Sequence, residues 1–360
     1  MAKSVYIHIP FCKQKCKYCS FISFVTTDKI IGYVYSLLKE IETNYDGEEL
    51  KTLYFGGGTP SLLEIKYLKK IINKFNLASN CEVTLEMNPD DANYEYLKSL
   101  RDIGINRLSV GSQTFNDEIL RNIGRRHNSV QIMNAVKLAK EVGFDNISLD
   151  LIYGLPSQTI ADLKQDLDNI IGLGVQHVST YGLKIEEESF WGKFPPENVP
   201  DEDQQADMYL EINSYLESKG YKRYEVSNFA QEGFESKHNL NYWNNDEYYG
   251  FGVSAHGYIN GVRYSNFCTL EEYINKPTQH VQGHLQTMQE KLEEEIFLGF
   301  RKEEGINLAR IKDKFGIDFY ENYKSVLNKF IPEYIEKTSE GYKLTLKGVL
   351  LSNNILAEFL

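Results

Sequence analysis

The chain has 360 residues, 42% of them apolar and 25% charged, with a formal charge of −12; this is the make-up of a globular protein with room for one large domain and one small one. No run of basic residues is longer than a pair such as Arg125–Arg126, so nucleic acid and anionic lipid find no dense cationic surface and are not expected as partners. There is no transmembrane-length apolar stretch, MAKSVYIHIPFC lacks the apolar core of a signal peptide, and five cysteines do not suggest a disulfide framework, so a cytoplasmic protein is expected.

In chain order, VYIHIP (5–10) is the first predicted strand, and it leads into HIPFCKQKCKYCSF (8–21), with Cys12, Cys16 and Cys19 spaced C-x3-C-x2-C. KIIGYVYSLLKEI (29–41) has helical spacing; TLYF (52–55) is a strand ending in FGGGTP (55–60), followed by the helical SLLEIKYLKKIINKF (61–75). The strand CEVTLEM (81–87) carries Glu86 near its end, and RLSVG (107–111) leads to Gln113. Arg125 lies in NIGRRH, ahead of the helical VQIMNAVKLAKEV (130–142); NISLDLIYG (146–154) holds Asp150, and HVSTYGL (177–183) is the sixth strand. Such strand–helix alternation predicts a parallel sheet covered by helices. An open doubly wound sheet and a barrel both fit, but polar motifs at so many strand ends favour a rim where they converge. The expected fold is α/β, a partial (β/α)6 TIM-like barrel.

Beyond residue 186 the pattern changes to the loop GKFPPENVPDED (192–203), a helix over about 203–219, and the Tyr/Asn/Gly-rich HNLNYWNNDEYYGFGVSAHGY (238–258). EKLEEEIFLGFR (290–301) starts a helical series, and GYKLTLKGVLLSNNILAEFL (341–360) reads as strand, turn and final helix, suggesting a small winged-helix-like α+β module. The expected division is 1–230 for the barrel, 231–285 for an aromatic, Gly-rich extension and 286–360 for the C-terminal module.

Three thiolates on a tight loop can ligate three irons of a 4Fe–4S cluster and leave the fourth open. A structural zinc site completed by His8 is the alternative, although the spacing is unusual for zinc and no second ligand pair follows. Cys81 and Cys268 read as small apolar residues. The glycines of FGGGTP permit close backbone approach to a ligand, or simply a tight turn. Glu86 is a ligand acceptor or a helix cap, and Arg125 is a counter-charge for a carboxylate or a surface arginine. Gln113 and Asp150 end strands, where a carboxylate can bind ribose hydroxyls.

The cysteine motif followed by an aromatic-flanked strand and GGGTP resembles the radical S-adenosylmethionine superfamily. HIPFC-x3-C-x-YC, GGGTPS, NRLSVGSQTF and DLIYGLP, in this order over nearly the whole chain, are similar to the branch that holds oxygen-independent coproporphyrinogen III oxidase and the heme chaperones of the HemW family. The resemblance implies a 4Fe–4S cluster on Cys12, Cys16 and Cys19, with S-adenosylmethionine on the open iron. It implies contacts from Gly57, Gly58 and Thr59 to the cofactor's amino group, and further cofactor contacts from Tyr6, Tyr18, Glu86, Gln113, Arg125 and Asp150. In the oxidase the matching positions contact one of two S-adenosylmethionine molecules.

Within this branch the oxidases continue their motif to a fourth cysteine and carry an N-terminal extension; here Phe21 stands at that position and eleven residues precede Cys12. HNLNYW (238–243) matches the H-N-x-x-Y-W motif of the heme chaperones. A role for His238 as axial ligand, with Tyr242 and Trp243 as planar walls, makes physical sense; an aromatic packing cluster around a hydrogen-bonded histidine is the alternative, and His256 in SAHGY is a second candidate ligand. The expected function is a heme chaperone that carries heme as cargo to an acceptor protein of unknown identity, leaving room for peripheral contact with membrane proteins. Coproporphyrinogen III oxidation is the alternative, and a zinc-stabilised binding protein is a third reading. No catalytic residue is assigned.

Overall fold

In the computed structural model, which describes residues 2–360, every predicted strand forms. β1 (Ser4–Ile9), β2 (Leu50–Gly57), β3 (Leu77–Met87), β4 (Arg107–Gln113), β5 (Ile147–Tyr153) and β6 (His177–Gly182) pair in parallel, in sequence order. Between them run α1 (Ile30–Asn44), α2 (Ile65–Ile72), α3 (Tyr94–Asp102), α4 (Asp117–Asn122), α5 (Ser129–Glu141) and α6 (Ile160–Leu173). The start of α5 is written in sequence as a capping box, Asn128 with Gln131, and that of α6 as Thr159 with Asp162.

The strands alternate with period two. Val5, Ile7, Ile9, Leu53, Phe55, Val83, Leu85, Leu108, Val110, Leu149, Leu151 and Val178 are buried in one apolar core. The residues between them are polar: Tyr6, His8, Tyr54, Thr84, Glu86, Ser109, Asp150 and Ser179. A parallel sheet covered by helices on both sides carries near-continuous apolar strands. Here the second face is a polar inner wall, and its residues from β2 to β6 border a shared cavity. That is the arrangement of an incomplete barrel.

After α7 (Phe190–Lys193) and α8 (Glu202–Ser218), β7 (Lys222–Arg223) and β8 (Asn228–Ala230) add antiparallel beside β6. α9 (Lys237–Trp243) follows, and β9 (Tyr249–Phe251) joins the opposite edge parallel to β1. β10 (His256–Ile259), β11 (Val262–Ser265) and β12 (Gln282–Leu285) form a separate antiparallel sheet, with α10 (Leu270–Asn275) before its last strand. The C-terminal part comprises α11 (Met288–Gly299), β13 (Ile306–Asn307), α12 (Leu308–Phe315), α13 (Phe319–Phe330), β14 (Ile335–Lys337), β15 (Gly341–Leu344), α14 (Leu346–Leu350) and α15 (Ser352–Leu356). Its helices and three-stranded sheet enclose a second core around Ile296, Phe300, Phe319, Tyr342 and Phe359, which Tyr209 of α8 joins. No helix among the described residues is long and apolar enough to cross a membrane.

Residues 231–285 do not stand apart from the barrel: Tyr249, Phe251, Val253, Leu270 and Tyr273 are buried in its core. Glu40 of α1 ties this segment down. Its fully buried carboxylate accepts from the Gly252 amide at 2.9 Å, Asn266 Nδ2 at 2.6 Å and the Tyr273 hydroxyl at 2.5 Å. Burial raises this carboxyl to about 7 in spite of the three donors. Replacing it leaves those donors unpaired, so Glu40→Ala is expected to cost about 3 kcal/mol in urea unfolding; an unchanged urea midpoint would show that the contacts contribute nothing.

Candidate cofactor site

The cysteine loop leaves β1 at Pro10 and is closed at its base. The Cys12 amide donates to the Phe24 carbonyl at 3.1 Å, and the Phe24 amide to that of Pro10 at 2.7 Å. Its tip is pinned from outside: Lys17 N donates to Ile123 O at 3.0 Å, Gln14 Nε2 to Gly124 O at 3.1 Å, and Trp191 N to Lys17 O at 3.0 Å. The three thiols are free, partly exposed, and border one cavity of about 460 Å³, a volume suited to a small-molecule ligand.

No three His, Cys, Asp or Glu side chains among the described residues gather around a single ion position, as a mononuclear zinc site requires. His8 is committed elsewhere. Its Nε2 lies 2.9 Å from the Ile22 carbonyl, which can only accept, so Nδ1 accepts from the Tyr6 hydroxyl at 3.1 Å; burial depresses this imidazole to about 4 and keeps it neutral.

Two side chains donate to those sulfurs: Thr59 Oγ1 to Cys12 Sγ at 3.5 Å, and Arg125 Nη1 to Cys16 Sγ at 3.6 Å. Burial pushes the Cys19 thiol up. Asn88 links the pair, donating to Thr59 Oγ1 at 3.1 Å and accepting from Arg125 Nη2 at 2.5 Å. Arg125 Nη2 also donates to the Gly111 carbonyl at 2.6 Å, while its Nε is buried without a partner among the described residues.

The glycines act differently from an open backbone cradle. Gly57 N donates to Glu86 Oε2 at 3.1 Å and Gly58 N to the Ile9 carbonyl at 2.8 Å, so both amides are already used. Gly57 has φ +111°, and a Cβ there would lie 2.6 Å from the His8 ring, so only glycine fits. Glu86 also accepts from the Tyr54 hydroxyl at 2.8 Å, and burial raises its carboxyl to about 7. Asp150 accepts from Ser109 Oγ at 3.1 Å and is raised to about 6, again by burial. Gln113 sits where the β4–β5 register slips, with φ +66°, a conformation a non-glycine residue adopts at a cost.

Tyr18, Gly57, Gly58, Thr59, Glu86, Gln113, Arg125 and Asp150 thus border the same cavity as the three cysteines. Tyr6 does not. It borders a neighbouring cavity of about 360 Å³ together with Tyr242, Tyr248 and His256, and Phe21, 68% exposed, lies on both.

His238 lies buried in an aromatic cluster. It is 1% exposed, and burial depresses it to about 3. Nδ1 shares a hydrogen bond with Thr52 Oγ1 at 2.8 Å and Nε2 with the Tyr242 hydroxyl at 2.9 Å. Its ring stacks on Tyr54 at 4.9 Å between centroids, and Glu82 Oε1 accepts from its backbone amide at 3.1 Å. Both ring nitrogens are thus engaged by protein partners; Trp243 is half-buried at the end of α9.

Sequence reasoning passed over Arg107, Asn88 and Tyr54. Arg107, 2% exposed, borders the cavity, and its Nε has no partner. A charged residue in the polar register of a parallel strand was the available signal.

The profile of the Radical SAM superfamily matches residues 6–170, and that of the HemN C-terminal domain residues 286–351. The heme chaperone HemW of Bacillus subtilis is 39% identical over 99% of both chains, and that of Lactococcus lactis 38% identical over 99% of this chain and 97% of the relative. HemW of Haemophilus influenzae is 35% identical over 99% of this chain and 97% of its own. Coproporphyrinogen III oxidase (HemN) from Escherichia coli, a radical SAM enzyme, superposes with a TM-score of 0.86 at 24% identity, covering 99% of this chain and 89% of the other, a likeness of fold. The chain belongs to the HemW family of the radical S-adenosylmethionine superfamily.

The raised Glu86 carboxyl has a consequence for stability. Its folded value of about 7 exceeds the unfolded one, so its contribution is full below about pH 4.3 and is lost as pH rises through 7. In cofactor-free protein, Glu86→Gln is expected to gain on wild type from about pH 5 to about pH 8 in urea unfolding; a difference independent of pH would contradict the raised value.

Proposed function

Membership of the HemW family is the premise from which we propose that this protein binds heme on a radical S-adenosylmethionine scaffold and passes it to an acceptor protein in the cytoplasm. One observation supports this above the others: three free thiols and the matching cofactor-contact positions, Tyr6 apart, border a single cavity. Cys12, Cys16 and Cys19 would hold three irons of a 4Fe–4S cluster and leave the fourth without a protein donor. With S-adenosylmethionine at that iron, the pair supplies one-electron reduction and radical chemistry.

The chain's own residues bind and shield. Thr59 and Arg125 direct hydrogen-bond donors at two of the sulfurs. The unpaired Nε atoms of Arg125 and Arg107 are buried donors that suit a ligand rich in oxygen acceptors. Glu86 and Asp150 offer acceptors to an amino group or to ribose hydroxyls. Tyr18, within the cysteine loop, has Trp191 tilted against it at 6.4 Å. On the far side of that loop, Phe21, Tyr242 and Tyr248 offer planar apolar surface for a macrocycle.

Reconstitution without oxygen tests the reading. Wild type should take up about four irons and four sulfides per chain, and Cys16→Ser should lose them. An absorbance titration should show saturable binding of about one heme per chain. Coproporphyrinogen supplied with reductant and S-adenosylmethionine should stay unoxidised. Absence of a saturable heme site, or protoporphyrinogen formed at enzymatic rates, would overturn the proposal.

A further inference from the structure

The chain has seven histidines, and imidazole is a common ligand of heme iron. Their hydrogen bonds separate them. His8 and His238 have both ring nitrogens engaged, and so does His177, between Ser148 and the Tyr224 hydroxyl. His127 is buried against the Ser112 carbonyl. His280 pairs with Asn266, and His284 with Glu290. His256, at the start of β10, is exposed and has no side-chain hydrogen bond or ion pair among the described residues. It borders the cavity of about 360 Å³ with Tyr6, Tyr242, Tyr248 and Phe21, and no Asp, Glu, Lys or Arg contributes to that lining.

We propose that His256 is the axial ligand of the bound heme iron, with the macrocycle seated against Tyr242, Tyr248 and Phe21; this rests on the heme-binding reading above. A lining without formal charge suits the porphyrin face and leaves the propionates to point towards water. The aromatic walls are already ordered: Tyr242 meets Tyr248 edge-on at 4.6 Å, and His238 Nε2 fixes the Tyr242 hydroxyl at 2.9 Å. His238 is therefore a positioning residue. The HNLNYW segment serves the heme through Tyr242, while the free imidazole comes from a different strand. Ser20 and Phe21, directly after Cys19, form a wall common to this cavity and the cysteine-lined one, which places heme across a single turn of chain from the cluster loop.

The test is a heme titration of full-length wild type, His256→Ala and Tyr242→Leu, followed by absorbance and electron paramagnetic resonance. His256→Ala should weaken heme by about tenfold or more and lose the histidine-ligated spectrum, and added imidazole should restore that spectrum. Circular dichroism and the unfolding midpoint should stay those of wild type, because the side chain is exposed. Tyr242→Leu should weaken binding while keeping the histidine-ligated spectrum. A His256→Ala protein with wild-type affinity and spectrum would overturn the assignment while the heme-binding reading stands; failure of wild type to saturate would overturn both.

Discussion

Each strand of the parallel sheet presents two kinds of side chain in alternation, and the site exists because of that division. Val5, Ile7, Leu53, Phe55, Val83 and Leu85 are buried in the core, and that burial, at about 25 cal/mol per Å² of apolar surface, stabilises the scaffold. The facing positions are free to be polar only if each polar group finds a partner or a ligand. Many are paired internally: Ser109 with Asp150, Tyr54 with Glu86, Ser148 with His177. The side chains of Arg107 and Arg125, whose Nε atoms have no partner among the described residues, border the cavity beside the cysteines, while Thr84 Oγ1 is unpaired outside its lining. An inner wall of this kind would be a liability in a closed core, but it is suited to a chamber that receives a polar cofactor.

The cysteine loop depends on the same frame. Its sulfurs gain donors because Thr59 follows β2, Asn88 follows β3, and Arg125 lies in the turn after α4. Gly57 lets the β2 end pass against His8, which in turn holds Ile22 on the returning limb of the loop. The ends of β2 and β3, the turn after α4 and the cysteine loop are therefore mutually constrained, and none of them forms a site alone.

Much of this was legible in the sequence, because period-two and period-3.6 patterns and capping boxes are local signals. The cysteine spacing is equally local, and the cofactor-contact positions that the resemblance implies, Tyr6 apart, border one cavity. What escaped was long-range. Nothing near His238 in sequence shows that Thr52, almost two hundred residues earlier, would occupy its Nδ1. Residues 231–285 looked like a separate extension by composition, yet Tyr249 and Phe251 find their burial only by adding β9 beside β1. The FGGGTP amides looked available, but Glu86 and Ile9 had claimed two of them. Phe21 is the instructive case: directly after the cysteine run, an exposed ring joins the borders of both cavities.

The central claim is that three cysteines leave one iron open to a ligand held by the polar inner wall. Electron paramagnetic resonance of the reduced, anaerobically reconstituted protein, recorded with and without S-adenosylmethionine, tests it most directly. A cluster signal whose g-values move on addition of S-adenosylmethionine is the predicted result, because the ligand changes the coordination of the open iron. A cluster signal that saturating S-adenosylmethionine leaves untouched would contradict the account.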